Sequence, residues 1–256
     1  MSGDPRILIL TPVKDAVEHL DTYFAGLAAL EHPAASISLG LLESDSSDDT
    51  FSALQARLPE LESRYARVTL VKHDFGFRFP PGVHRWADHL QLARRVVLAR
   101  SRNRLLSAAL RDEDWVLWLD VDVLEYPPDV IARVLATGKD IVHPHCVVEY
   151  GGRTFDENGW RDKGRARMDD LRGGPELVRL DAVGGTMLLV RADVHREGLV
   201  FPPYLYGREN RYARNPSPLT GRGVGEVETE ALGLMAKDMG YECWGMPNLE
   251  ILHRHG

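Results

Sequence analysis

The sequence predicts an α/β protein organised around a doubly wound, parallel sheet, and three observations predict it. Short apolar runs at Arg6–Leu10, Ile37–Leu42, Val68–Lys72 and Trp115–Leu119 alternate with segments of helical periodicity, the β-α-β-α-β order that produces such a sheet. The Trp115–Leu119 run is bulky and apolar at every position, the pattern of a strand buried on both faces. It then delivers Asp120 and Asp122. A period of two sends both to the same side of the strand as it leaves the sheet, and in open α/β sheets that carboxyl edge is where ligands bind.

Taken in order, Arg6–Leu10 is the first strand, ended by Thr11-Pro12, and Val17–Leu30 is a helix with Leu20, Phe24, Leu27 and Leu30 along one side. The second strand, Ile37–Leu42, empties into Glu43–Thr50, whose Asp48 and Asp49 cap a helix over Phe51–Leu58. Val68–Lys72 is the third strand, followed by a surface loop, Phe75–Gly82. Gln91–Leu110 is a long helix with Leu92, Val96, Ala99, Asn103, Leu106 and Leu110 on one stripe. Asn103 is the polar member of that stripe, and a buried amide needs partners from the fold or from a ligand. Arg100 and Arg104 flank it. Arg suits the clamping of a diphosphate, so Arg100 and Asn103 are expected to reach the Asp120 pocket. Arg94, Arg95 and Arg111 are assigned to a solvated face.

Beyond the central strand, Asp129–Ala136 is a short helix and Asp140–Val148 a strand. His143 and His145 share a face of that strand, but no third ligand follows nearby, so packing or acceptor binding is expected rather than a second metal. Residues 151–175 form an irregular polar excursion beside the site. Gly184-Gly185 allows close backbone approach to a ligand, or a tight bend, before a strand at Met187–Val190. A long loop, 204–225, carries Arg208, Arg211, Arg214 and Arg222. The helix Glu226–Met239 starts with Glu226, Glu228 and Glu230, which suit a helix amino terminus; Glu228 or Glu230 is also a candidate contact for a sugar hydroxyl. Short strands at Tyr241–Trp244 and Leu249–Leu252 close the chain, the second ending at His253, a candidate imidazole ligand.

Two aspartates as close as Asp120 and Asp122 repel each other unless a cation or donor cluster lies between them. The expected occupant is Mn²⁺ or Mg²⁺ carrying a phosphorylated ligand, since hard oxygen ligands suit both ions. The sequence has no G-x-G-x-x-G after the first strand and no Walker A motif, which disfavours the usual dinucleotide and P-loop sites. Side chains of Thr11–Asp15 and Glu43–Asp49 must then hold a nucleoside, with Asp45 or Glu43 on the ribose. The bland alternative for Asp45 is a solvated loop.

The 256 residues, 44% apolar and 27% charged, fit one α/β domain. A net charge of −7 argues against nucleic acid or an anionic membrane as main partner. Cys146 and Cys243 form no disulfide framework, no signal segment opens the chain and no run approaches the roughly 20 residues of a membrane span. A cytoplasmic location is expected.

Several motifs then form an ordered set: Ile-Leu-Thr-Pro-Val-Lys near the start, Ala-Arg-Ser-Arg-Asn at 99–103, the Asp120–Asp122 strand, Val-Gly-Gly-Thr-Met at 183–187, Phe-Pro-Pro at 201–203, Val-Glu-Thr-Glu-Ala at 227–231 and Pro-Asn-Leu-Glu-Ile-Leu-His at 247–253. Together they resemble the fungal mannan-polymerase mannosyltransferases, glycosyltransferase family 62, over nearly the whole chain. The resemblance implies a GT-A fold in a single domain over 1–256, with a nucleotide-binding half (1–126) and an acceptor-side half (127–256). It implies GDP-mannose as donor, Mn²⁺ as cofactor and retention at an α-linked product formed on a glycan or other hydroxyl acceptor. It places Asp120, Asp122 and His253 at the metal, and Thr11, Pro12, Lys14, Glu43 and Asp45 on the guanosine side. Arg100 and Asn103 fall on the donor side, Gly184, Gly185 and Glu228 towards the transferred sugar, and Asp122, Glu228 and Arg100 become the catalytic candidates. Fungal members work as assemblies, so a homo-oligomer or a complex with other transferases is expected. Other outcomes are another nucleotide sugar or a non-catalytic subunit that binds GDP-sugar or glycan. Unlike the anchored fungal members, the chain is expected to carry no amino-terminal anchor, and it has a longer, Arg-rich insertion after Phe-Pro-Pro, which leaves the acceptor open.

Overall fold

A computed structural model of the chain describes residues 3–80, 82–83, 87–162, 164–207 and 225–253. Its first half alternates strands and helices: β1 (Ile7–Val13), α1 (Leu20–Ala29), β2 (Ile37–Glu43), α2 (Thr50–Arg64), β3 (Arg67–Lys72), α3 (Asp88–Ala109) and β4 (Trp115–Leu119). There follow β5 (Val123–Glu125), α4 (Val130–Leu135), β6 (Ile141–Val147), a small hairpin of β7 (Trp160–Arg161) and β8 (Ala166–Arg167), β9 (Val178–Leu180), β10 (Met187–Arg191), α5 (Ala192–Arg196), α6 (Glu228–Asp238) and β11 (Cys243–His253). One sheet runs β3-β2-β1-β4-β10-β6-β11-β5, with β9 added against β11.

The alternation in β1 shows how the sheet acquires two covered faces. Ile7 and Ile9 pack into one core with Leu20, Tyr23, Leu27 and Leu54, whereas Leu8 and Leu10 pack into the other with Leu105, Leu106 and Ala109 of α3. Every residue from Ile7 to Leu10 is sealed from solvent, as a central strand between two helical layers requires.

The sheet is parallel through β3-β2-β1-β4 and again between β6 and β11. The sheet is mostly parallel, as expected, and β10 is an antiparallel member, running between β4 and β6. A parallel return needs a long crossover, usually a helix. Only short strands and a single 3₁₀ turn join β6 to β10, so β10 comes back antiparallel. β1 also runs on through Thr11-Pro12 to Val13, with Pro12 opposite Leu42. β4 pairs with β1 only as far as Leu10, so Pro12 lies where the strand has one neighbour and a missing N–H is tolerated. The two closing strands expected from sequence are one strand, β11, whose register slips between Met246 and Glu250. Among the described residues no helix is long and apolar enough to cross a membrane.

Candidate active site

β4 ends at Leu119, and the next residues carry the carboxylates to the carboxyl edge of the sheet. The Asp120 N–H donates to the Thr186 carbonyl (2.8 Å), fixing where the chain leaves β4. It then turns back through β5, whose Val123 pairs antiparallel with His253 at the end of β11. That pairing brings together groups far apart in sequence. His253 Nε2 lies 2.9 Å from Asp122 Oδ1, and one ligand atom from each of Asp120, Asp122 and His253 fall within 4.8 Å of one another. The Phe155 ring stacks on the His253 imidazole, centroids 3.6 Å apart and planes 11° from parallel.

Two carboxylates and an imidazole converging at this spacing make a donor set suited to Mn²⁺ or Mg²⁺. Burial pushes the Asp120 carboxyl up to about 7; Arg102 pulls it down and the neighbouring Asp122 pushes it further up. A divalent cation would reverse that shift and favour the ionised ligand.

Arg102 is a cation that reaches Asp120. It lies on α3 with its side chain 1% exposed, its Nη2 3.0 Å from Asp120 Oδ1 and its Nε 3.0 Å from Glu228 Oε1. Nη2 also donates to the Gly185 carbonyl (3.2 Å). The guanidinium stands over the rings of Trp118 (5.4 Å) and Phe201 (5.1 Å), cation–π contacts that strengthen when desolvated. Those rings are themselves held. Trp118 Nε1 donates to His195 Nε2 (3.2 Å), while His195 Nδ1 donates to the Leu199 carbonyl (2.7 Å). Burial lowers the His195 pKa to about 4, so the imidazole stays neutral and accepts from the indole.

Asn103 holds the other ring. Its Nδ2 donates to the Phe201 carbonyl (2.7 Å) and its Oδ1 accepts the Phe201 N–H (2.8 Å). The buried amide is therefore satisfied by the fold. Arg100 faces solvent and does not line the cavity. Arg102, which lies between Arg100 and Asn103 in sequence, lines the cavity, whereas those two expected residues do not.

A cavity of about 910 Å³ opens over this cluster, lined among others by Pro12, Lys14, Asp120, Asp122, Gly185, Glu228 and His253. Thr11, Glu43, Asp45 and Gly184 are buried and do not line it. The Thr11 hydroxyl is shared between Tyr23 Oη (2.6 Å) and the Leu119 carbonyl (2.7 Å). Glu43, fully buried, pairs with Lys72 and accepts the Ser46 N–H. Arg95, assigned to the solvated face, instead lines the cavity, where it pairs with Glu230 (2.9 Å) and donates to the Val227 carbonyl (2.6 Å); Arg94 lines it too. Glu230 also accepts from Trp160 Nε1 (2.7 Å). It therefore has a built structural role at the mouth.

Glu228 opens α6 with φ 63°, a left-handed conformation costly for a residue with a side chain and commonest at functional sites. Its N–H donates to the Pro202 carbonyl (3.0 Å), and its Oε2 accepts from Thr229. The helix turn is thereby fixed with the carboxylate against Arg102.

Asp156 was not singled out by the sequence, where it is one carboxylate in a polar excursion. In the fold it lines the cavity, and its Oδ2 accepts from Gly185 N–H (2.7 Å), Thr186 N–H (3.1 Å) and Thr186 Oγ1 (2.9 Å). Burial alone would raise its pKa, but His143 and these donors outweigh burial and hold it below the ordinary carboxylate value. The paired glycines make room for this arrangement. A Cβ on Gly184 would lie 2.5 Å from Asp156 Oδ2, and one on Gly185 would lie 2.5 Å from Thr229 Cγ2 and 3.0 Å from Arg102 Nη2. His143 and His145 are spent on packing: His145 Nδ1 donates to the Pro247 carbonyl and its Nε2 accepts from Thr154, while His143 Nδ1 donates to the Pro144 carbonyl. The loop arginines 208, 211, 214 and 222 lie outside the described residues.

Comparison with known proteins agrees with this architecture. Residues 1–172 and 165–205 match the Anp1 family. The Schizosaccharomyces pombe mannan polymerase II complex anp1 subunit is 28% identical over 98% of this chain and 64% of its own length. The Saccharomyces cerevisiae ANP1 subunit is 29% identical over 98% of the chain and 55% of its own length, so the chain spans little more than half of these relatives. Among solved structures, a Pyrobaculum calidifontis mannosyltransferase in complex with GDP-Man and Mn²⁺ superimposes with a TM-score of 0.60 at 15% identity, covering 98% of this chain and 57% of that one. GalNAc-T7 with UDP, GalNAc and Mn²⁺ gives 0.57 at 12% identity, covering 100% of this chain and 45% of that one. The fold is that of the GT-A glycosyltransferases, and the chain belongs to the Anp1 family.

Proposed function

We propose that this chain is a metal-dependent retaining α-mannosyltransferase that moves mannose from GDP-mannose to a hydroxyl of a glycan acceptor. The observation that carries the proposal is the convergence of Asp120, Asp122 and His253 on one point of a cavity that Arg102 and Glu228 also line. Support comes from the relatives named as mannan polymerase subunits and from the archaeal mannosyltransferase solved with GDP-Man and Mn²⁺.

In this reading Asp120, Asp122 and His253 hold Mn²⁺, or Mg²⁺ in its place, and the bound ion supplies charge neutralisation for the leaving diphosphate. Arg102, fixed by Asp120 and Glu228, adds positive charge beside the same group. The bond between the anomeric carbon and the phosphate oxygen breaks, and the electron pair leaves with the GDP. The acceptor hydroxyl oxygen bonds to the anomeric carbon on the departing face, which retains the configuration, and its proton passes to the departing phosphate oxygen. The sugar becomes oxocarbenium-like as this happens. Glu228 lies close enough to the same cavity to face that positive charge, and Arg102 and Thr229 keep it from turning away.

Calorimetric titration with GDP-mannose, GDP-glucose, UDP-glucose and GDP, each with Mn²⁺ and with chelator, tests the proposal. Metal-dependent binding that favours GDP-mannose, followed by transfer to mannoside acceptors with an α-linked product by NMR, is expected. Preference for the UDP-sugar would discard the donor. Binding without turnover across acceptors would make the chain a non-catalytic subunit.

A further inference from the structure

The stretch His73–Pro80, between β3 and α3, is an irregular ribbon, turned at Gly76 (φ 75°), whose residues alternate in exposure. His73, Phe75, Phe77 and Phe79 are half-buried, whereas Asp74, Gly76, Arg78 and Pro80 are exposed. The inward rings form two edge-to-face pairs, His73 on Phe75 at 4.6 Å and Phe77 on Phe79 at 5.3 Å. Phe77 and Phe79 line the cavity that Pro12, Lys14 and Ser44 also line.

A buried carboxylate holds this ribbon in place. Asp45, 3% exposed, takes the left-handed conformation (φ 57°) just after β2. Its Oδ2 accepts the Phe75 N–H and its Oδ1 the Gly76 N–H, both at 2.9 Å. Its own N–H donates to Asp74 Oδ1 (2.8 Å). A residue with a side chain adopts that backbone at a cost that the surroundings must offset, and here the offset is the anchoring of two ribbon amides. The Asp45 carboxylate is occupied with this task. Lys14 is occupied as well, donating to the Asp45 carbonyl and pairing with Asp15 at 2.9 Å. With Thr11 and Glu43 bonded within the fold, the side chains expected to grip a nucleoside are committed elsewhere. Phe77 and Phe79 are the aromatic side chains in this part of the wall, beside Asp15, His19 and Ser44.

We propose that Phe77 and Phe79 form a stacking platform for the purine base of a nucleoside diphosphate, with Asp45 as the positioning residue that presents it. The proposal rests on the nucleotide-sugar reading above and names the residues that hold its base. The two rings stand 77° apart, so a base that stacks on one ring meets the other at its edge; the larger purine covers more of that corner, and affinity falls from purine to pyrimidine diphosphates. Diphosphate and metal contacts belong to the separate cluster at Asp120, Asp122 and His253.

The test is calorimetric titration of the native chain and the double variant Phe77→Ala/Phe79→Ala with GDP, UDP and inorganic pyrophosphate, each with Mn²⁺. Loss of stacking lowers GDP affinity about tenfold or more, while pyrophosphate, which has no base, binds both proteins equally. Asp45→Asn, which can still accept but not from both amides, gives a smaller loss for GDP and again none for pyrophosphate. Phe79→Tyr keeps the native GDP affinity. Unchanged GDP affinity in the double variant overturns the platform and leaves the nucleotide-sugar reading standing. An equal loss for pyrophosphate also overturns it, because the substitutions would then have damaged the whole cavity. A native chain that binds pyrophosphate but not GDP overturns both.

Discussion

The Arg102 guanidinium lies 3.0 Å from the Glu228 carboxylate, and the two side chains are 1% and 3% exposed. Arg102 Nη2 is simultaneously 3.0 Å from Asp120. One cation therefore joins the amino terminus of α6 at Glu228 to Asp120 at the end of β4, 108 residues apart in sequence. A pair so deeply buried adds little net stability, because its desolvation cost rivals the attraction, but removing one partner strands the other.

Arg102→Met should accordingly destabilise the fold by about 3–5 kcal/mol in urea unfolding, by leaving Glu228 as a buried charge without its counterion. Arg102→Met/Glu228→Leu should recover most of that stability, because the deeply buried Glu228 carboxylate is gone and the remaining partner, Asp120, is 30% exposed to water. It should recover no transfer activity. If the double variant transferred sugar at the native rate, neither residue would belong to the reaction.

Asp120 gives the metal-free fold a pH dependence whose sign follows from its raised pKa. An acid with a higher pKa folded than unfolded binds more protons in the native state between those two values, so its contribution to stability falls as pH rises through that window. The window runs from the ordinary aspartate value, about 4, to the folded value of about 7. In chelator the native chain should therefore lose stability relative to Asp120→Asn on going from pH 5 to pH 7.5. Mn²⁺ should stabilise the native chain most at the higher pH, where the ligand is ionised. Melting curves of both proteins with and without Mn²⁺ at the two pH values give the comparison, and parallel pH profiles in chelator would refute the assignment.

The sequence makes the centre of this site legible and its surroundings much less so. Trp115–Leu119 is contiguous and apolar, so the strand and the direction of its two aspartates follow from local pattern alone. Arg102 does not. A periodicity argument for α3 selects apolar positions and so includes Leu92, which is 38% exposed, and passes over Arg102, which is 1% exposed. What buries Arg102 is the counter-charge of Asp120 and Glu228, delivered by distant segments. The stripe marks Asn103 as an amide needing partners from the fold or a ligand, and its partner is the backbone of Phe201, 98 residues on. Asp156 illustrates the same limit. Its role depends on the turn at Gly185-Thr186, and nothing within residues 151–175 distinguishes it from its polar neighbours.

The Asn103–Phe201 pair makes a prediction of its own. Asn103→Ala would leave the Phe201 N–H and carbonyl without their side-chain partners, at a cost of about 1–3 kcal/mol for each group that water does not reach. Asn103→Asp can still accept the Phe201 N–H but cannot donate to the carbonyl, so an intermediate loss is expected. Because Asn103 acts on Arg102 only through the Phe201 ring, kcat should fall more than the KM for donor rises. A variant with altered donor KM and native stability would instead place Asn103 in contact with the nucleotide sugar.

Phe155 should control metal affinity without being a ligand. His253 ends β11, and its ring orientation is set by the 2.9 Å contact with Asp122 and the 3.6 Å stack on Phe155. Groups that orient a metal-binding histidine typically change affinity about 10- to 100-fold when removed. Phe155→Ala should therefore weaken Mn²⁺ binding in a direct metal titration by about tenfold or more. His253→Ala should weaken it further. The neighbouring links through Thr154 to His145 and through Asp156 to Gly185 remain in Phe155→Ala, so the cavity wall keeps its anchors. An effect on Mn²⁺ affinity with little change in melting temperature would separate ring positioning from general loss of packing. Native Mn²⁺ affinity in Phe155→Ala would show that the stack does not fix the imidazole, and it would then be packing without a role at the metal.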